Sequence, residues 1–362
     1  MDLIEAYDLP LTPITVTPAT KAQLTQFHSN ALITRLLKRR KPIDDATTTT
    51  ETKEWSDFDS DPSSSDSESD SDDEISTLDT SVGLAFDCPP FPHMRRYVQY
   101  LIGSALAAAD AVKHHNLVLN WYGGRHHATK SRAAGFCYVN DICYTIQRLR
   151  RLGFQRVFYL DFDLHHGDGV ETSYRGSAKV FTCSIHRYDV GFFPGTGGLA
   201  DNVANQANIP LKAGLSDTSL LLIVKEIILP LLHDFNPDCL IIQTGCDGLG
   251  SDPAGQWNLT IPGLSRAIME VYRAASVPTI MVGGGGYHHR DAARFWCYLT
   301  HIASEQTPPS PDEYIRDHPG LDRFEEDHYQ FWTDKNCQPR RTRDENTEEY
   351  LKLVADAVFG DG

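Results

Sequence analysis

Five short apolar runs constrain the fold of this chain more than any other feature. They lie at residues 117–121, 156–160, 179–183, 238–243 and 278–282. Segments with a helical period separate several of these runs, at residues 141–151, 218–233 and 263–275. Apolar runs of this length indicate strands that are buried on both faces, and intervening helices place such strands in a mainly parallel sheet. The sequence therefore predicts an α/β fold.

Each apolar run is followed by a polar or glycine-rich segment. These segments are GGRHHA, DFDLHHGDG, SIHRYDVGFFPGTGG, TGCDGLGSDP and GGGGYHH. Parallel sheets bind ligands at the carboxyl ends of their strands, so segments that are distant in sequence meet there. We therefore expect the five segments to form one cleft.

The densest group of ionisable side chains lies in VFYLDFDLHHGDGV, residues 157–170. Asp161, Asp163 and His165 are two residues apart and should project from one side of a strand end. Carboxylates and imidazoles bind divalent metals, and three protein ligands with an open fourth position are typical of a catalytic zinc. We expect two ligands from this group and a third from elsewhere, for which Asp247 is the natural candidate. The alternatives are a capped strand end, and a helix N-cap role for Asp247.

Two histidines and a tyrosine could supply further chemistry in the cleft. His126 and His127 follow the first strand, where they are either core residues or a general acid and base. Asp161 and Asp168 are available to orient them, since both are not needed on the metal. Tyr287 follows four glycines at a strand end, where a phenol can donate a hydrogen bond to a developing oxyanion.

Two aromatic residues, Phe136 and Phe193, also lie on loops of the predicted cleft. They belong either to the core or to the walls of a slot for an aliphatic chain. The glycine-rich loop lacks the GxGxxG spacing, so the sequence does not indicate a dinucleotide site.

The net charge of the chain is concentrated in one segment. Residues 44–79 contain fourteen acidic residues and one lysine and so supply −13 of the formal charge of −16. The rest is nearly balanced, which does not favour direct nucleic-acid binding. The eight cysteines form no CxxC pair, and the apolar run LLLIVKEIILPLL is interrupted by charges and proline. These features predict a reduced, intracellular protein that does not span a membrane.

The same segment divides the chain. We predict that residues 1–43 and 81–362 belong to one catalytic domain and that residues 44–80 form a disordered acidic insert, because they contain almost no apolar side chains. The insert is either inert or a kinase target, since serines at 63, 65, 67, 69 and 71 each precede an acid by three residues. The basic cluster at residues 38–41 is either a nuclear import signal or the solvated end of a helix.

Six motifs occur in an order that is highly specific: GGRHHA, GFCYVND, DLHHGDGVE, GFFPGTG, DP with NLT, and GGGGY. From about residue 82 to its end, with a weaker match at LIEAYDL, the chain resembles zinc-dependent histone deacetylases of the class I type. The resemblance implies the arginase-like deacetylase fold, a single α/β domain with a mainly parallel, eight-stranded sheet. It also implies hydrolysis of N6-acetyl-lysine on histones or other nuclear proteins.

The resemblance implies roles for individual residues. Asp163, His165 and Asp247 would hold one zinc ion per chain. His127, paired with Asp168, would be the general base and acid.

Further roles follow from the same resemblance. His126, paired with Asp161, would be the electrostatic neighbour of the general base, and Tyr287 would polarise the acetyl carbonyl. Substrate-binding residues are implied at Asp87, Gly135, Phe136 and Phe193. Potassium is a second implied cofactor, at Asp161, Asp163, His165, Ser184 and Ile185.

The chain departs from the family pattern in two places that bear on these expectations. Relatives carry a strand and an arginine before LIEAYDL, so we expect either an upstream segment or a weakly active chain without the first strand. The sequence NQA at residues 205–207 replaces a tyrosine pair, which argues against a second potassium site.

Several other functions remain open from the sequence. The enzyme alternatives are deacetylation of non-histone proteins such as cohesin, deacetylation of acetylpolyamines, and an arginase-like dimetal hydrolase. The non-enzyme alternative is an inactive scaffold that binds acetyl-lysine. The expected partners are acetylated histone tails or other acetyl-lysine proteins and subunits of a nuclear complex. The expected location is the nucleus, with the cytoplasm as a second compartment.

Overall fold

A parallel β-sheet forms the centre of the protein. The computed structural model describes residues 1–40, 77–339 and 342–360. In these residues the sheet has six strands, all parallel, in the order β1-β6-β5-β2-β3-β4. The strands are β1 (Leu117–Asn120), β2 (Val157–Asp161), β3 (Val180–Arg187), β4 (Gln206–Leu211), β5 (Cys239–Gln243) and β6 (Thr279–Val282). The predicted α/β fold with a parallel sheet is confirmed, and five of the strands coincide with the predicted apolar runs.

The sixth strand, β4, was not predicted, because polar Gln206 and Asn208 and the proline at 210 hide its pattern. β4 pairs only with β3 and is therefore an edge strand. The Pro210 carbonyl accepts a hydrogen bond from the Tyr350 hydroxyl at 2.7 Å instead of bonding to β3. The missing N–H of Pro210 thus lies on the outer side of the edge, where the sheet needs no donor.

The strand number differs from the eight that the family resemblance implied. Upstream of β1, the described residues form helices and loops and contain no further strand of the sheet. The segments there carry helical start signals: the Thr20 and Ser29 side chains accept hydrogen bonds from the backbone N–H groups of Gln23 and Leu32. β1 is consequently the second edge of the sheet.

Helices cover both faces of the sheet. The α-helices of the described residues are Asp2–Ala6, Lys21–Leu24, Asn30–Leu36, Thr77–Ser81, Met94–Ala111, Asp141–Leu152, Asp168–Tyr174, Asp217–Ile223, Leu229–Phe235, Ile261–Ala275, His289–Ala303, Asp334–Cys337 and Glu348–Phe359. None of them is long and apolar enough to span a bilayer.

Two hydrophobic cores lie on the two faces. Phe158 and Leu160 of β2 point into the core that contains Leu264 and Phe295 of the later helices. The alternate residues of β2, Val157 and Tyr159, point into the other core, beside residues of the helices Asn30–Leu36, Met94–Ala111 and Asp141–Leu152. All five residues of β2 are buried, as expected for a central parallel strand.

The helix predicted at residues 218–233 is interrupted. A π-helical turn, Val224–Ile228, separates the α-helices Asp217–Ile223 and Leu229–Phe235. The physical cause is Pro230, which has no N–H to donate to the carbonyl of Glu226 four residues earlier, so the helix widens locally.

The end of the predicted acidic insert belongs to the folded body. Residues 77–80, counted with the insert in the sequence, lie in the helix Thr77–Ser81. Asp79 of this helix is only 1% exposed and forms ion pairs with Arg35 at 2.9 Å and Arg40 at 3.0 Å. These guanidinium groups offset the cost of burying the carboxylate. The insert up to residue 76, with its serines, lies outside the described residues.

Candidate active site

Three side chains with metal-ligating atoms meet at the carboxyl ends of neighbouring strands. Asp163 and His165 follow β2, and Asp247 follows β5, which pairs with β2. Their ligand atoms all lie within 4.8 Å of one another. The two carboxylates are 2% and 0% exposed, so the cluster combines negative charge with burial. Such a cluster requires a positive charge for stability.

Neighbouring groups hold both carboxylates in place. Asp163 Oδ2 accepts hydrogen bonds from Gln243 Nε2 at 2.8 Å and from the Gly285 N–H at 2.7 Å. Asp247 Oδ1 accepts from the Leu164 N–H at 2.9 Å. The Asp247 Oδ2 atom lies 2.9 Å from His165 Nδ1 and faces the cluster. These donors orient both carboxylates, as hydrogen bonds to metal-ligating carboxylates commonly do.

The electrostatics of the cluster also favour a cation. Burial and the charge of Asp163 raise the pKa of Asp247 to about 7. Burial alone would lower the pKa of His165, but its hydrogen bonds to Asp163 and Asp247 outweigh burial and raise that pKa to about 10. A divalent ion would supply positive charge to the same two carboxylates.

Two histidine–carboxylate pairs lie beside the cluster. His126 Nδ1 is 2.8 Å from Asp161 Oδ2, and His127 Nδ1 is 2.7 Å from Asp168 Oδ1. The two imidazole rings are 4.0 Å apart and tilted by 52°. Both histidines are buried, so the carboxylates determine their orientation.

The two histidines differ in protonation. Burial lowers the pKa of His126, but the charges of Asp161 and Asp163 outweigh it and raise that pKa to about 9. Burial and the neighbouring charge on His126 lower the pKa of His127 to about 4, against the opposing effect of Asp168. His127 is therefore neutral near pH 7, and with Nδ1 bonded to Asp168 its Nε2 can accept a proton.

Asp161 does not join the metal-ligating cluster, although its spacing with Asp163 left that possibility open. Its Oδ2 atom bonds to His126 and also accepts a hydrogen bond from the buried Tyr159 hydroxyl at 2.6 Å. Its Oδ1 atom accepts from the Asp163 N–H at 3.0 Å. Asp161 thus connects the strand end to the histidine pair.

Glycines allow the loops to approach these side chains closely. Gly135 has a φ of +56°, and a Cβ there would lie 2.3 Å from His127 Cδ2. A Cβ on Gly285 would lie 2.4 Å from Asp247 Oδ2. Any side chain at either position would displace a site residue.

Aromatic side chains line the approach to the site. The Phe193 ring lies 4.9 Å from the His127 ring at 82°, and the Phe136 ring lies 6.1 Å from that of Tyr287. Phe136, Phe193 and Tyr287 are 59%, 45% and 39% exposed, so they reach from the site to the surface. The Gly135 N–H beside them donates to Asp87 Oδ2 at 2.5 Å. The structure therefore brings the predicted substrate residues to one opening.

Sequence reasoning missed residues that hold a loop and the carboxylates of the site in place. Asp141 accepts hydrogen bonds from the Gly124 N–H at 2.9 Å and the Arg125 N–H at 2.7 Å, and thereby fixes the loop that carries the histidines. Gln243 and Tyr159 bind the carboxylates described above. The acid at 141 in GFCYVND was visible, but nothing in its spacing indicates that it binds a loop sixteen residues earlier.

The residues implied for potassium lie on adjacent strands. Ser184 and Ile185 belong to β3, and Ser184 is aligned with Asp161 of β2. The Ser184 hydroxyl is 3.0 Å from His186 Nδ1. Potassium at this position stays a prediction.

Comparison with known proteins agrees with this geometry. The family model described as the histone deacetylase domain matches residues 2–303. Histone deacetylase HOS1 of Saccharomyces cerevisiae is 40% identical over 271 residues, 68% of this chain and 58% of the yeast protein. Histone deacetylase 8 of Xenopus tropicalis is 36% identical over 289 residues, 78% of this chain and 76% of the frog protein.

A third relative, histone deacetylase 1 of Homo sapiens, is 35% identical over 283 residues, 75% of this chain and 56% of the human protein. The chain thus spans less than two thirds of the yeast and human relatives. The match nevertheless contains β1 to β6 and the whole metal-ligating cluster. On this evidence the chain belongs to the histone deacetylase family.

Proposed function

We propose that this protein is a zinc-dependent lysine deacetylase that hydrolyses N6-acetyl-lysine and releases acetate. One observation carries the proposal. A buried cluster of two carboxylates and an imidazole lies beside a second buried imidazole, that of His127, which Asp168 orients. A Lewis-acid site next to a general base can activate water for hydrolysis of an unactivated amide.

The donor set fits zinc. Carboxylate and imidazole ligands in a three-residue set leave a position open for water or substrate, which is typical of catalytic zinc. Asp163, His165 and Asp247 would hold the ion. When bound there, zinc would polarise the acetyl carbonyl and lower the pKa of water toward about 7.

The side chains of this protein perform the remaining steps. His127 removes a proton from the attacking water and later donates it to the lysine amine, while Asp168 keeps the imidazole in the required tautomer. The Tyr287 hydroxyl donates a hydrogen bond to the carbonyl oxygen as negative charge develops. Phe136 and Phe193 pack against the aliphatic part of the lysine, and Asp87 holds the substrate backbone at the opening.

We further propose that the substrates are acetylated histones or other nuclear proteins and that the enzyme acts in chromatin and transcription regulation. The names of the relatives support histones as the substrate class. The basic cluster at residues 38–41 supports a nuclear location, although Arg40 of this cluster also pairs with Asp79. A potassium ion near Asp161 and Ser184 would stabilise the strand ends that carry the zinc ligands.

The test is turnover by the purified chain. The protein is stripped with a chelator, reloaded with zinc, and assayed with an acetyl-lysine peptide and an acetylpolyamine. We expect metal-dependent release of acetate from the peptide, and loss of turnover with retained zinc in His127→Ala.

Other outcomes would favour the alternatives. Preference for the acetylpolyamine would indicate a small-amine amidohydrolase. Two metal ions per active chain would indicate a dimetal hydrolase. Peptide binding without turnover by the zinc-loaded wild type would indicate an acetyl-lysine-binding scaffold.

A further inference from the structure

The loop that presents Tyr287 is held through its backbone and not through side chains. Residues 283–286 are glycines and provide no side chains, and Gly286 has a φ of +148°. The Tyr287 hydroxyl has no hydrogen-bond partner among the described residues, and the only aromatic ring among them that pairs with its ring is that of Phe136, at 6.1 Å. The position of the phenol therefore depends on what holds the backbone of residue 287.

One buried carboxylate holds that backbone. Asp252, which is 3% exposed, accepts a hydrogen bond at Oδ2 from the Tyr287 N–H at 2.7 Å and from the His288 N–H at 3.3 Å. Its Oδ1 atom accepts from the Ala254 N–H at 2.8 Å. Asp252 thus joins the loop after β5, which carries Asp247, to the loop after β6, which carries Tyr287.

The turn around Asp252 is itself rigidly connected. The Asp252 N–H donates to the Leu249 carbonyl at 2.9 Å, and the Gly255 N–H donates to the Asp252 carbonyl at 3.0 Å. The loop after β6 is connected to the same region by the Cys246 N–H, which donates to the Gly285 carbonyl at 2.8 Å. A displacement of the carboxylate would therefore move Tyr287 relative to the metal-ligating cluster.

From these contacts we propose that Asp252 is a positioning residue for the reaction, which acts by fixing Tyr287. The inference rests on the proposed deacetylase function. A simpler role would be stabilisation of the helix His289–Ala303, whose first turn begins beside these N–H groups. A helix cap would affect stability, whereas a positioning residue also affects turnover through Tyr287.

The test combines turnover with a double variant. Asp252→Asn keeps the size of the side chain but places an amide donor against backbone N–H groups. We expect kcat for an acetyl-lysine peptide to fall about 10- to 100-fold, because small displacements of a reacting group cost this much. KM should change less than about threefold, and zinc content should not change. In a Tyr287→Phe background, Asp252→Asn should cost less than about threefold more, because both changes remove one function.

The matched control is Asp344→Asn. Asp344 also joins two segments, by accepting from the Ser216 N–H at 3.0 Å, the Ser219 hydroxyl at 2.7 Å and the Asn346 N–H at 2.8 Å. This variant should lose stability and keep kcat. An equal loss of kcat from Asp252→Asn in both tyrosine backgrounds, or a loss that follows zinc content, would overturn the proposal.

Amide hydrogen exchange provides a measurement that does not depend on turnover. In the wild type, the Tyr287 and His288 amides should be protected although they lie outside helices and strands. In Asp252→Asn they should exchange at least about tenfold faster, and in Asp344→Asn they should not change. Unprotected amides in the wild type would overturn the proposal even if the Asn variant fails to fold. Absence of wild-type turnover would instead refute the proposed function and leave the exchange result to decide on Asp252.

Discussion

At the residue scale, the clearest prediction concerns the hydroxyl group of Tyr287. Its hydroxyl is free of protein partners among the described residues, and burial, with the nearby charges of Asp163 and Asp247, raises its pKa, so it remains a proton donor. Tyr287→Phe should lower turnover about 100- to 1000-fold, which is the effect of removing one oxyanion donor. Because the phenol makes no structural hydrogen bond, the melting temperature should stay the same. Unchanged turnover with a lower melting temperature would contradict the assigned role.

A second prediction at the residue scale concerns Gly135, where a side chain would cost stability through backbone strain and turnover through a clash with His127. Its φ of +56° strains any L side chain, and a Cβ would lie 2.3 Å from His127 Cδ2. Gly135→Ala should cost about 1–2 kcal/mol in stability from strain and should also abolish most turnover by displacing His127.

Gly176→Ala is the control that measures the cost of backbone strain without a steric clash. Gly176 has a φ of +75° and no atom within 4 Å of a Cβ. Its variant should lose similar stability without losing turnover. Normal kinetics in Gly135→Ala would show that the loop can move away from the histidine.

At the scale of elements, a buried histidine connects the amino-terminal helices to the loop of the active site. His28 is 2% exposed; its Nδ1–H donates to the Lys130 carbonyl at 3.2 Å, and its Nε2 accepts from the Asn140 N–H at 2.9 Å. Asn140 caps the helix Asp141–Leu152 and donates to the Ala128 carbonyl at 2.9 Å. Protonation of Nε2 would place its N–H against the Asn140 N–H. Burial lowers the pKa of His28 to about 4.

This arrangement predicts how stability depends on pH. The pKa of His28 is lower in the folded state than its ordinary value of 6.5. The unfolded chain therefore binds more protons as the pH falls, and the stability contributed by neutral His28 is present above pH 6.5 and lost toward pH 4. Between pH 7 and pH 5 this loss should be about 2 kcal/mol in the free energy of unfolding.

The measurement is denaturant unfolding at the two pH values. At pH 7, His28→Gln should be less stable than the wild type, but its free energy of unfolding should lack this part of the pH dependence. His233→Gln, which changes an exposed histidine, should retain the wild-type dependence. Equal pH dependence in the wild type and His28→Gln would show that His28 is not the responsible group.

At the scale of the whole molecule, the acidic insert should contribute little to the stability of the body. Its two ends are close together, since Arg40 and Asp79 form an ion pair at 3.0 Å. Deletion of residues 46–75 shortens the connecting loop, and shorter loops cost about 1–2 kcal/mol less to close. We expect the melting temperature to stay within about 3 °C of the wild type or to rise.

Asp79→Asn provides the contrast to this deletion. It leaves two guanidinium groups facing a neutral amide and should cost about 3 kcal/mol, the usual penalty for breaking a buried ion pair. A deletion more destabilising than Asp79→Asn would show that the insert packs on the body. If the insert guides positively charged substrates, its deletion should lower kcat/KM at low salt and have less effect at high salt.

The order of apolar runs and helical segments was sufficient to predict the α/β fold, because element type depends on local periodicity and burial. The convergence of the polar segments also followed from the sequence, because the carboxyl ends of parallel strands share one edge. Five strands and the chemistry of Asp163, His165 and Asp247 could be predicted in this way. Strand β4 could not, since Pro210 is tolerated only because its missing N–H faces away from β3.

Residue spacing did not decide how equivalent side chains divide the work; the family resemblance implied the roles of Asp161 and Asp163, and the tertiary structure decided the rest. Asp161 and Asp163 have the same residue type and lie two positions apart, yet one binds His126 and the other joins His165 and Asp247. Asp79 belongs by composition to the acidic insert, but Arg35 and Arg40 bring it into the interior. Asp252 looks like an ordinary turn residue and holds the backbone of Tyr287. These outcomes depend on hydrogen bonds and ion pairs between residues that are distant in sequence, and local spacing contains no information about such partners.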